Sequence, residues 1–145
     1  MRTRLLKTFL LMIIFSCNNS KDYYNWSKRI INKYGNYHLL NRPYVIKVDN
    51  NKGLLDYSLL DSMNNPLIKP NEHIGVYNKW SLYWDDSKSW LWVFSSDIGV
   101  FVWLQDENKK YKQVTLKSSD TDLIAQIPKE FYSIFPTAFK KIYLR

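Results

Sequence analysis

The chain has 145 residues, 21 basic side chains against 13 acidic ones, and 24 aromatic residues, of which six are Trp and eleven Tyr. Its single cysteine excludes an intramolecular disulfide, and its four glycines leave little material for a phosphate-cradling loop. The basic excess is scattered: Lys109-Lys110 and Lys140-Lys141 are isolated pairs, not the basic run of a nucleic-acid arm.

The chain opens with Arg2, Arg4 and Lys7, followed by the apolar run Phe9-Leu10-Leu11-Met12-Ile13-Ile14-Phe15 and the small residue Ser16. A positive start, a short apolar run and a small residue are the parts of a secretory signal peptide. The run falls short of the roughly 20 residues needed to span a bilayer. Ile14-Phe15-Ser16-Cys17 resembles the lipobox of bacterial lipoproteins. The resemblance implies cleavage before Cys17 and a thioether-linked diacylglycerol on its sulfur. It also implies residence at the cell envelope, and Asn18 in place of an acid after the cysteine points to the outer membrane, facing the periplasm. Domain limits follow: a signal peptide over 1–16, a lipidated tether over 17–20 and one globular domain over 21–145. Without Arg2, Arg4 and Lys7 the 21 basic residues become 18 against 13 acidic ones. A mature charge of that sign disfavours a basic target.

Tyr23, Trp26, Ile30 and Tyr34 fall at spacings of three and four, which predicts a helix over 21–34 stopped by Gly35. Its aromatic stripe packs on the core or, close to a lipid, lies among headgroups with Lys21, Lys28, Arg29 and Lys33 beside it. Residues 44–48 and 54–60 read as strands around the turn Asp49-Asn50-Asn51-Lys52-Gly53, and Pro66 and Pro70 mark an irregular connection. Trp80, Leu82 and Trp84 then alternate with Ser81, Tyr83 and Asp85. The runs 90–94 and 100–104 are apolar on both faces, and 111–116 follows a polar turn. Short turns join antiparallel neighbours, so 80–116 predicts a four-strand meander. Two-faced strands need cover on both sides, which assigns the helix over 21–34 and a second one over 129–135, opened by Pro128. The expected fold is therefore α+β, an antiparallel meander of about six or seven strands covered by an N-terminal and a C-terminal helix. An all-β curled sheet or partial barrel is the competing architecture.

Chemistry is sparse. His38 and His73 share no metal-ligand spacing, so no metal or cofactor is expected. Neighbours in an extended segment point opposite ways, which separates Glu72 from His73. Ser95-Ser96-Asp97 could offer a nucleophile only if a distant base reached it, and these residue types commonly bond their own turn. Asp85-Asp86 lacks the spaced oxygen ligands of a calcium loop. The aromatic residues provide the candidate binding surface, Tyr83, Trp84, Trp90 and Trp103, with Tyr83 on the polar side of its strand. The expectation is a lipid-anchored, non-catalytic domain that binds a protein partner, either as an assembly component or as an inhibitor or immunity-type protein. The alternative is a cell-wall glycan-binding module or glycan hydrolase using Asp85, Asp86 or Asp97 beside a tryptophan platform. No nucleic-acid partner is expected.

Overall fold

The computed structural model of the chain describes residues 30–134 and residue 137. Cys17, the signal segment, residues 21–29 of the expected first helix and the end of the expected second one lie outside the described residues. Two antiparallel sheets make up the fold. The four-stranded sheet runs in the order β2 (Gly35–His38), β3 (Val45–Asn51), β4 (Leu54–Leu60) and β5 (Pro66–Ile68). The five-stranded sheet runs in the order β1 (Ile30–Ile31), β6 (Trp80–Asp85), β7 (Trp90–Ser95), β8 (Gly99–Gln105) and β9 (Tyr111–Thr115). Two short helices, α1 (Thr121–Ile124) and α2 (Lys129–Ile134), complete the described chain.

Local chemistry sets these registers. Asn51 pairs with Leu54, leaving Lys52 and Gly53 as a two-residue loop, with φ of 54° and 87°. Positive φ at both positions is the mirror-image turn whose twist suits a hairpin, and Gly53 N–H also donates to Asn50 Oδ1 at 2.9 Å. Between β6 and β7, Asp85 Oδ1 accepts from Ser87 N and Oγ at 3.1 and 2.6 Å. Between β8 and β9, Asp106 Oδ1 accepts from Lys110 N at 2.8 Å.

The two sheets pack face to face. Ile46 and Val48 of β3 and Leu55, Tyr57 and Leu59 of β4 meet Leu82 and Trp84 of β6, Leu91 and Val93 of β7, and Phe101 and Trp103 of β8. The intervening Lys47 and Asp56 face solvent, so the four-stranded sheet has one dry and one wet face. In the five-stranded sheet the central strands β6, β7 and β8 have none that is wet. On its outer side Tyr83, Trp92, Phe94, Val100 and Val102 pack with Leu116, Ile127 and Phe131.

The expected α+β architecture is corrected here. Among the described residues the chain is mostly β, in two separate sheets and not one curled sheet or partial barrel, and no helical layer covers either sheet. One side of the five-stranded sheet is covered by the second sheet. The other is covered by the C-terminal segment over 116–132, whose helices have only four and six residues. Where the first expected helix enters the described chain, Ile30 and Ile31 instead pair with Tyr83 and Leu82 as β1. A strand as apolar as β6 leaves its edge groups unpaired without a neighbour, and that tertiary pairing outweighs the local helical spacing.

Candidate functional site

The four aromatic residues expected to form a binding surface divide between two faces of one sheet. Trp84 and Trp103 point into the inter-sheet core and Tyr83 into the outer cluster, and all three are buried. Trp84 is edge-on to Tyr44, with ring centroids 6.2 Å apart, and Tyr83 is edge-on to Phe131 at 6.1 Å. Trp90 is half-buried, with Lys88 Nζ 4.7 Å from its ring centroid. These residues are packing elements and form no shared exposed patch. The face taken as polar from Ser81 and Tyr83 is dry because the C-terminal segment lies over it.

The acids lie in two turns at opposite ends of β7. Asp85 and Asp86 begin the turn before β7, and Asp97 lies in the turn after it. The strand between them spans about 17 Å at roughly 3.3 Å per residue. Paired glycosidase carboxyls stand roughly 5 to 9.5 Å apart. Asp97 therefore stands too far from Asp85 and Asp86 to face either of them as a catalytic pair. Ser95 is fully buried and its hydroxyl donates to Asp97 Oδ1 inside the same turn, so the motif holds a loop. Glu72 accepts from Gln113 Nε2 while His73 faces solvent. Among the described residues, no group of three His, Cys, Asp or Glu side chains could hold a metal ion.

The sandwich has two unlike ends. At one, Arg42 reaches Asp86, with Nε 3.6 Å from Oδ1 and Nη2 donating to the backbone oxygen at 3.2 Å, and Lys88 Nζ lies 4.0 Å from Asp85. An open cleft of about 360 Å³ lies there between His38, Arg42, Tyr44, Asp61 and Asn64. Its acid is already engaged: Asp61 accepts from the Met63 and Asn65 backbone amides at 2.8 Å each. Those bonds, with one from the Asn65 side chain, hold its carboxyl below the usual range.

At the other end, the loop over 75–79 joins the two sheets. Val76 N donates to Gly53 O at 3.0 Å, and Asn78 N closes a turn onto Gly75 O at 3.0 Å. Asn78 Nδ2 donates to Asp97 Oδ2 at 2.6 Å, and Ser96 and Lys79 exchange bonds of 2.9 and 3.2 Å. A Cβ at Gly75 would meet Asn78 Nδ2 at 3.1 Å, so the absence of a side chain there lets the Asn78 amide close in. This loop is pinned from several sides, yet Tyr77 at its tip is 95% exposed. Tyr34, 5.7 Å from the Trp80 ring, and the partly exposed Leu54 and Ile98 lie at the same end.

Four exposed lysines, Lys33, Lys52, Lys79 and Lys117, belong to the turns of this end, and none is in an ion pair among the described residues. Among the described residues, the acids in the turns of this end include Asp97, whose two oxygens hold Ser95 and Asn78, and Asp120, whose Oδ2 accepts from Lys117 N. From sequence, Tyr34 and Lys33 were expected on a helix, Lys52 in a turn and Asp97 as an acid, while Tyr77, Lys79 and Lys117 were not singled out. The available signal was an aromatic inside the turn-rich run Gly75-Val76-Tyr77-Asn78-Lys79. Comparison of the chain with protein-family models, curated proteins and solved structures gives no match.

Proposed function

We propose that the chain is a lipid-anchored protein of the bacterial cell envelope whose β-sandwich is a non-catalytic binding module for another protein. The observation that carries this reading is Tyr77. An aromatic side chain held in water by a hydrogen-bonded loop gains nothing for the fold. Such a residue suits an interface anchor, because its pinned backbone loses little freedom on association.

The anchor follows from the resemblance at Ile14-Phe15-Ser16-Cys17. Ile30 pairs with Tyr83 and Ile31 with Leu82, so β1 runs from the Arg42 end toward the Tyr77 end. Even fully extended, residues 18–29 span at most about 45 Å, so the partner is sought at the membrane surface. The full chain, expressed in a bacterium that processes lipoproteins, is expected in the membrane fraction with an intact mass showing loss of residues 1–16 and acylation. Cys17→Ser is expected in the soluble fraction. An unacylated wild-type chain would overturn the anchoring.

A further inference from the structure

We infer that Tyr77 is a knob that enters an acidic concavity on a partner protein, with Lys52 and Lys79 meeting carboxylates on the rim of that concavity. This deepens the proposed binding role and rests on it.

Shape supplies the first half of the argument. Tyr77 projects from the tip of a turn at 95% exposure, while the loop beneath it is held by Val76 on Gly53 and by Asn78 on Asp97. A convex, preorganised aromatic is complementary to a pocket and not to a flat surface. A sugar platform presents the opposite geometry, with a ring lying open along a groove.

Charge supplies the second half. Lys52 belongs to the turn onto which Val76 bonds, and Lys79 is two residues beyond Tyr77. Both are exposed and unpaired among the described residues, as are Lys33 and Lys117 at the same end. Opposite charge across an interface steers encounter and fixes the partner, whereas like charge disfavours it. A two-fold contact between copies through this end would set lysines against lysines. The partner surface is therefore acidic and belongs to a different protein. An anionic lipid surface would satisfy the lysines but offers no pocket for the ring.

The test places a photoreactive p-benzoylphenylalanine at position 77 of the full-length lipidated chain in the intact envelope, with the same probe at Met63 on the opposite end. Irradiation is expected to yield a covalent adduct from position 77 to a protein, mapping by mass spectrometry within a concavity lined by Asp or Glu. The double variant Lys52→Glu, Lys79→Glu should lower that adduct yield about tenfold while leaving the urea unfolding midpoint in place. Once the partner is identified, Tyr77→Ala should weaken binding about 30-fold or more. An adduct to lipid, to glycan or to a second copy would overturn the inference, as would a yield unaffected by charge reversal. Protein adducts from position 63 with none from 77 would overturn it while leaving the binding role intact. Silence at both positions would remove both.

Discussion

The two sheets contribute facing halves of one core but differ in what their other faces do. In the four-stranded sheet, β3 and β4 alternate strictly, with Ile46, Val48, Leu55, Tyr57 and Leu59 inward and Lys47 and Asp56 outward. In the five-stranded sheet, β7 and β8 pack on both sides, and Trp84 and Trp92 reach complete burial on opposite faces. The more aromatic sheet thus spends its aromatic surface on packing. What is left exposed are the loops that join the sheets at their ends, where Tyr77 and lysines without an ion pair among the described residues lie. Aromatic content by itself says where a core is dense, and loop geometry says what is offered outside it.

The sharpest way to break this comparison is to remove core volume. Trp84→Ala, at a fully buried site between the sheets, should cost about 3–5 kcal/mol, read from urea unfolding. Phe131→Ala tests the outer face, since Phe131 is completely buried against Tyr83 and Phe94. It should cost about 3 kcal/mol. A loss under about 0.5 kcal/mol would show that the C-terminal segment is not a structural cover.

A smaller effect sharpens the inter-sheet chemistry. Trp103 Nε1 donates to Tyr57 OH at 3.1 Å across the core, so Tyr57→Phe should cost about 1–3 kcal/mol by stranding a buried donor. Burial raises the Tyr57 phenol well above its ordinary value. Its folded form then keeps a proton that the unfolded chain loses above about pH 10, so stability present below that pH falls as pH rises further. Unfolding midpoints measured at pH 8 and pH 11 should diverge less in Tyr57→Phe than in the wild type. Smallest of all, Lys47→Ala on the wet face should change stability by no more than about 0.5 kcal/mol, its exposed pair with Asp49 being of little weight.

The paired strands were the legible part of this fold. Val45–Asn51 and Leu54–Leu60 carry period-two alternation around a turn containing Gly53, and the strands from Trp80 to Thr115 are separated by turns rich in Ser and Asp. The strands that changed the architecture are short or nearly featureless. β1 has two residues and its pattern is absorbed by the helical spacing of Ile30 and Tyr34, while Gly-Asn-Tyr-His of β2 has no apolar periodicity. The second sheet was therefore missed as the cover for the first, and helices were assigned to that task. The site was less legible still. Tyr83 has a polar strand-neighbour in Ser81 and yet is buried, because burial there is decided by residues more than 30 positions later in the chain. The exposure of Tyr77 arises from bonds among Gly53, Asn78 and Asp97, none of which leaves a periodic trace.

Hydroxyl-radical footprinting of the full chain, purified and in its native envelope, tests the division between packed sheets and contacting loops in one measurement. Tyr77 should be modified rapidly in the purified protein and protected in the envelope, with Trp84 and Trp92 unreactive in both. Equal modification of Tyr77 in the two states, or ready modification of Trp84 and Trp92 in the purified protein, would contradict it.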